Sequence, residues 1–260
     1  MMEITDAGRI YWQYEYDVMA QYLLPLMKSW GIRIEGDTVL DVGCGDGGGI
    51  SAMYDAGMQC KGFDLEQPYI DLAHAMSGDR QMEMFVGSIY AEPIPLQGER
   101  FDVVILHDVF EHIERKTYVL ETLKKYLKPD GKLIITYPPY YSAFGAHQQF
   151  LKAPFRRLPF FHLLPFAIST VLPRLQNEEQ RLVEEIQKLA RLKMGIAKFQ
   201  RLAFETGYSI DRRKFYLIGP NHIRFGLKPV DAGIVGKIPG LREFLVSGVV
   251  YILSLDEKDR

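Results

Sequence analysis

Five short apolar runs lie between residues 38 and 137, at 38–43, 60–64, 82–87, 101–108 and 131–137. Each is rich in Val, Ile, Leu or Phe, and Gly, Pro or Asp bounds most of them, as expected of buried strands. Helix-like segments intervene at 48–55, 68–77 and 116–127. In the last, Tyr118, Leu120, Leu123, Tyr126 and Leu127 mark one apolar face, and the Lys-Pro-Asp-Gly run at 128–131 stops it. Alternation of this kind folds into a parallel sheet with helices on both faces.

Two further strand-like runs, 209–219 and 247–255, bring the expected sheet to about seven strands. Residues 11–30 place Tyr11, Tyr14, Val18, Tyr22, Leu26 and Trp30 at three- and four-residue steps, which predicts an amphipathic helix packed on the sheet. A long helix is expected over 177–193, with Leu182, Ile186, Leu189 and Leu192 on one face. The reading is one α/β domain over 1–260: a helical segment (1–36), a ligand-binding core (37–141), an insertion or lid with the long helix (142–200), and C-terminal strands completing the sheet (201–260).

Charge narrows the function. Lys and Arg total 31 against 33 Asp and Glu, a net charge of −2. A nucleic-acid binder usually carries a basic domain, so no nucleic-acid partner is expected. The balance is uneven along the chain, however. Positions 131–177 hold five basic residues (Lys132, Lys152, Arg156, Arg157, Arg174), no acidic one, and six of the 14 prolines. Cys44 and Cys60 make no disulfide framework and read as reduced thiols. The first residues are acidic and aromatic, without the basic region and apolar run of a secretory signal. The longest charge-free apolar stretch, 158–173, is broken by His162 and Pro165 and falls short of the roughly 20 residues that span a bilayer. A cytoplasmic protein is expected, its oligomeric state open.

The most informative local pattern is 39–48. An apolar strand ends in Asp41, Gly43, Gly45 and Gly47 follow at every second position, and a helix begins. Glycines there let the chain turn sharply and let a ligand approach the backbone. A dinucleotide fingerprint would read Gly-x-Gly-x-x-Gly, and Gly48 can fill its last place. The alternate spacing behind an acid instead resembles motif I of the class I S-adenosylmethionine-dependent methyltransferases. Asp64 ends the second strand, where an acid accepts from ribose hydroxyls. Residues 85–89 end the third, and 101–113 resemble the fourth strand and Glu-His turn of the type 11 and ubiquinone-biosynthesis O-methyltransferase branches. The resemblance covers about 37–137 and returns at 203–208.

The resemblance implies a doubly wound, Rossmann-like, seven-stranded, mostly parallel sheet in the order 3-2-1-4-5-7-6, with the seventh strand antiparallel and a helical insertion after strand 5. It implies S-adenosyl-L-methionine as cofactor and S-adenosyl-L-homocysteine as product. Asp41, Gly43, Cys44, Gly45 and Gly47 would hold the methionine end, Asp64 and Leu65 the ribose, and Ser88 and Ile89 the adenine. His107 would line the methionine or ribose side. Ser88 departs from the family, where Asp is frequent. In the ubiquinone branch a Glu-x-x-Glu-His pattern holds a divalent cation; Asp108, Glu111 and His112 match with Asp first. Two oxygens and one imidazole are too few for a site, so no metal is expected, and Glu111 and His112 read as turn residues.

Methyl transfer is an in-line displacement that needs alignment more than a nucleophile motif. The acceptor is expected to be a small, fairly apolar molecule methylated on oxygen. His147 is the expected general base, with Tyr137, Tyr140 and Tyr141 lining the acceptor pocket; a loop histidine and ordinary aromatic packing are the structural alternatives. The Pro-Pro-Tyr at 138–140 resembles the motif of amino-directed DNA methyltransferases, but it follows the fifth strand and is led by Tyr137. The apolar, basic stretch 150–175 reads either as a lid or as a peripheral contact with an anionic membrane. Two other function classes remain: an NAD(P)-dependent oxidoreductase, and a non-catalytic nucleotide-binding or membrane-associated scaffold.

Overall fold

The structure, a computed structural model, describes residues 5–91, 96, 98–152, 154–165, 168–169 and 178–258. Its strands are β1 (Thr38–Val42), β2 (Gln59–Asp64), β3 (Glu83–Val86), β4 (Phe101–His107), β5 (Leu127–Tyr137), β6 (Tyr208–Ile218), β7 (Val230–Asp231) and β8 (Gly248–Leu255). They form one sheet in the order β3-β2-β1-β4-β5-β8-β6-β7. Strands β1 to β5 pair in parallel, and β8 runs antiparallel between β5 and β6. This is a Rossmann-like, mostly parallel sheet with eight strands, not seven. The addition is β7, two residues paired antiparallel to the edge of β6. The run Lys228-Pro229-Val230-Asp231 that contains it has no apolar pattern, so nothing in the sequence announced it.

The strands bury side chains on both faces in alternation. Leu40, Val104, Leu106, Leu133 and Ile135 enter one core with Val119, Leu120 and Leu123 of helix α5 (Lys116–Leu123). Val39, Val103, Ile105, Ile134 and Ile252 enter the other. That second core is covered by α1 (Asp6–Val18), α3 (Gly48–Asp55) and α4 (Gln67–Ser77), through Val18, Ile50, Met53, Ile70 and Ala73. Burial on both faces explains why these strands read as continuous apolar runs.

The N-terminal helix differs in phase from expectation. Helix α1 passes through a π-turn (Met19–Leu23) into α2 (Leu24–Ser29). Trp12, Val18, Met19, Leu23 and Met27 are buried, while Tyr11 is half-exposed. A π-turn inserts an extra residue per turn and shifts the buried face, and it leaves the tyrosines, with their polar tips, on the rim.

After β5 the described chain makes 3₁₀ turns at Gln148–Phe150, Pro154–Arg157 and Phe161–Leu163. It then forms α6 (Gln180–Leu192) and α7 (Ile196–Glu205). Val183, Ile186 and Leu189 are the buried stripe of α6. Ile186 and Leu189 pack with Tyr140, Ala146 and Leu151 in a small separate core. The expected start at 177, and Arg174, lie outside the described residues. Helix α8 (Pro239–Leu245) precedes β8 and buries none of its side chains. Among the described residues, no helix is long and apolar enough to cross a membrane.

Candidate active site

A cavity of about 830 Å³ opens at the carboxyl ends of β1, β2 and β4, the edge where open α/β sheets place their ligands. The loop after β1 forms its floor. Gly43 and Cys44 both donate to the Phe63 carbonyl, at 2.8 and 3.1 Å, which ties the loop to β2. Gly43 has φ +83°, and a Cβ there would stand 2.6 Å from Val109 Cγ2. Gly45 has φ +54°, and a Cβ there would meet nothing within 4 Å. It borders the cavity, so a side chain at 45 would project into ligand space. Gly47 lies behind the loop against Ala73 and does not line the cavity.

Carboxylates ring this floor. Asp64 accepts from the Gly45 amide at 3.0 Å with one oxygen and from the Glu66 amide at 3.0 Å with the other. It is thus a turn residue as well as a cavity residue, and a carboxylate retains further lone pairs for a ligand. Asp41 is 4% exposed, and its Oδ1 has no hydrogen-bond partner. Burial pushes its pKa up to about 7, with Asp64 and Glu15 adding to the rise and His107 opposing it. Buried acceptors are ordinarily paired, so this oxygen is an acceptor left open beside the cavity. His107 ends β4, with Nδ1 2.6 Å from Thr136 Oγ1 and Nε2 3.4 Å from a Glu15 carboxylate oxygen. Burial alone would lower its pKa; the carboxylates of Asp108, Glu15 and Asp41 outweigh burial and hold it at about 9.

The cavity wall includes nine of the ten residues expected to contact the cofactor: Asp41, Gly43, Cys44, Gly45, Asp64, Leu65, Ser88, Ile89 and His107. Gly47 is the tenth. Helix α1 adds Tyr11 and Glu15, and the π-turn after it adds Met19, from outside the expected set. These are distant in sequence from the glycine loop, and only the fold brings them over it.

The far wall departs further from expectation. Tyr137 is 1% exposed and sits among Phe110, Phe199 and Tyr251, with its hydroxyl donating to the Gly195 carbonyl at 3.4 Å. Tyr140 is buried in the small core under α6, and its hydroxyl donates to the His162 carbonyl. Neither lines the cavity. Both rings are packed among core side chains and both hydroxyls are bonded to backbone carbonyls, so they serve the interior. His147 does not line the cavity either; its ring stacks on His112 at 5.2 Å and on Phe150 at 6.0 Å. Burial depresses its pKa to about 3.

Instead, the far wall carries His112, Phe150, Arg181, Leu182, Glu185 and Lys188. His112 Nδ1 hydrogen-bonds the Glu185 carboxylate of α6, 73 residues away. Burial would lower the His112 pKa, but the Glu111 and Glu185 carboxylates raise it overall. Asp108, the first position of the cation-holding pattern, is turned elsewhere. Its φ is +54°, and its carboxylate accepts from Thr136 Oγ1 at 3.0 Å and from the Asn221 amide. Glu111, His112 and His147 come together, one donor atom of each lying within 4.8 Å of the others. The one sequence signal for this group was the Glu-His pair at 111–112.

The profile of the type 11 family described as "Methyltransferase domain" matches residues 40–135. The ubiquinone biosynthesis O-methyltransferase of Bartonella tribocorum is 29% identical over 97 residues, 37% of this chain and 39% of the relative. The chain therefore spans about two fifths of that curated relative's length. A Mesorhizobium loti S-adenosylmethionine-dependent methyltransferase superposes with TM-score 0.56 at 16% identity, covering 92% of this chain and 99% of the other. The plantazolicin methyltransferase bound to a desmethyl analogue and SAH superposes with TM-score 0.57 at 12% identity, covering 96% and 90%. These likenesses establish the methyltransferase variant of the Rossmann-like fold.

Proposed function

Since residues 40–135 belong to the methyltransferase domain family, we propose that the chain is an S-adenosylmethionine-dependent methyltransferase acting on a small hydroxylated acceptor. The carrying observation is the orphaned, buried Asp41 carboxylate beside a glycine loop whose Gly45 opens into the cavity. The cofactor supplies an electrophilic methyl on a cationic sulfonium, and it also bears an ammonium group. Asp41 accepts from the ammonium, Asp64 from the ribose hydroxyls, and Ser88 and Ile89 border the adenine. The ring of Glu15, Asp41, Asp46 and Asp64 favours a cationic ligand. The same ring repels a pyrophosphate, which argues against the nicotinamide reading, because a phosphate needs amides and positive charge.

Helix α1 closes one side of the cavity and excludes water from the reacting centre. The acceptor enters from the α6 side, where Arg181, Glu185 and Lys188 meet its polar groups. That wall shifts the expected acceptor from fairly apolar to amphiphilic, and we place O-methylation first because the curated relative is an O-methyltransferase. His112, held by Glu185, stands where an acceptor hydroxyl would lose its proton; His147, buried and with its pKa at about 3, does not.

Transfer of a labelled methyl group from S-adenosylmethionine to a panel of phenols and catechols tests this reading. Labelled ether product supports it. Cofactor binding with no labelled product on any acceptor would favour the non-catalytic scaffold. A second reading has support from exposure: Leu158, Leu164 and Ile168 project from the basic 150–175 stretch. We take that stretch as a peripheral contact of a cytoplasmic enzyme with anionic lipid. Unchanged liposome co-sedimentation after Leu158→Glu and Leu164→Glu would remove it.

A further inference from the structure

Arg224 is a cation without an acid. It sits on the 3₁₀ turn Pro220–Phe225 that follows β6. Its guanidinium carbon lies over the rings of Tyr14 (5.3 Å), Phe150 (4.6 Å) and Phe225 (5.0 Å). Its Nε is buried with no hydrogen-bond partner, and among the described residues the side chain forms no ion pair. Aromatic faces attract a guanidinium, but they leave the N–H donors in its plane unmet. Buried polar groups are ordinarily hydrogen-bonded, so this donor is left open.

The turn that carries Arg224 is fixed to the cavity. The Asn221 side-chain amide donates to Asp108, which lines the cavity, and the Tyr14 hydroxyl donates to the Asn221 carbonyl at 2.9 Å. Asp108 does not neutralise Arg224, because its carboxylate accepts from Thr136 Oγ1 and Asn221. Tyr11 and Phe150 also line the cavity. Burial and Glu15 raise the pKa of the Tyr11 hydroxyl and the Arg224 charge opposes the rise, so its field reaches the cavity wall. The rings of His112, His147 and Phe150 stack in a row, with centroids 5.2 and 6.0 Å apart, and Arg224 covers the Phe150 end. The proposed base stands at one end of this row and the unpaired cation at the other. Other cations of the wall are differently placed: Lys152 pairs with Glu179 at 3.0 Å, and Arg181 is exposed to water, which screens its charge.

We propose that Arg224 binds a carboxylate of the methyl acceptor, which makes the acceptor an anionic hydroxylated molecule. The planar guanidinium fork matches a carboxylate bidentately. The three rings around it exclude water that would weaken the pair. The acids Glu15, Asp41, Asp46 and Asp64 line the other end of the cavity and repel the same carboxylate from it. The acceptor is therefore held with its hydroxyl at His112 and its carboxylate at Arg224. Its role as a methyl acceptor rests on the methyltransferase reading; the anion site itself does not.

The test titrates the full chain, saturated with S-adenosylhomocysteine, with catechols that carry a carboxylate on alkyl side chains of graded length, each paired with its methyl ester. In calorimetry at least one acid should bind about tenfold or more tighter than its ester, as expected of a charge-assisted pair. Arg224→Gln should cut that preference to less than about threefold, and Arg224→Lys, which keeps the charge without the fork, should restore part of it. Arg181→Gln should leave the preference as in the wild type. A merely structural Arg224 would weaken acid and ester alike and leave their ratio unchanged. The wild-type ratio needs no variant to fold. Every acid binding no tighter than its ester, an unchanged ratio in Arg224→Gln, or loss of the ratio in Arg181→Gln would each overturn the proposal. Methyl transfer from S-adenosylmethionine is followed on the same pairs. Arg224-dependent binding of the acid without transfer sinks only the methyltransferase reading, and transfer with no preference for the acid sinks only the anion site.

Discussion

The two ends of the cavity are built differently. The end at β1 and β2 is made of backbone: glycines at positive φ, amides tied to Phe63, and acids at strand ends. The end at α6 is made of side chains brought together over long separations, His112 with Glu185 across 73 residues and Glu111 with His147. A backbone-built end has little freedom, because its strands are buried on both faces and interiors are close-packed. A side-chain-built end can be rewritten without disturbing the sheet. The proposed function puts the common ligand at the first end and the variable acceptor at the second.

The comparison breaks first where the backbone itself is challenged. Gly43→Val would push a branched side chain into Val109, whose Cγ2 lies 2.6 Å from a Cβ at 43, in a conformation that disfavours any Cβ. Strain and overpacking together should cost about 2–4 kcal/mol of stability. Urea denaturation measures that loss, and S-adenosylhomocysteine binding should vanish with it. Wild-type stability would mean that the loop yields more easily than its burial implies.

Asp64→Ala should weaken S-adenosylhomocysteine by roughly 1.5–3 kcal/mol, the value of a charge-assisted hydrogen bond. Unchanged ligand affinity would show that the ribose lies elsewhere.

Asp41 gives a pH-dependent effect of moderate size. Burial raises its pKa to about 7 in the free chain, and only the ionised form holds an ammonium. Cofactor affinity should therefore rise with pH through that value, by about tenfold between pH 6 and pH 8. His107, at about 9, stays charged across the window and does not contribute. Asp41→Asn should flatten the profile in calorimetry. The smallest effect is expected from Arg181→Ala at the α6 end, which should leave S-adenosylhomocysteine affinity within about twofold. A larger change would show that the two ends are coupled.

The same contrast sets what could be read without coordinates. The glycine loop, Asp64 and the residues near Ser88 are local patterns, each within one strand–turn unit, and they converge because parallel strands place their carboxyl ends on one edge. Tyr137 and Tyr140 were misleading because aromatic residues after a strand serve a core or a pocket equally well by composition. Here Phe199, Tyr251 and the α6 stripe cover them. Glu185 belongs to no motif in the sequence, and only tertiary packing turns it towards His112. The edge strand β7 is two residues long and carries no periodicity, while the π-turn after Val18 moved the buried face of the first helix away from its tyrosines.

The central claim is that the acidic, glycine-built end holds S-adenosylmethionine. Calorimetric titration of the full chain with S-adenosylhomocysteine and with NAD tests it most directly. One S-adenosylhomocysteine site per chain, weakened in Asp64→Ala, with no NAD binding, is the predicted result. NAD binding without S-adenosylhomocysteine binding would contradict the account and return the loop to the dinucleotide class.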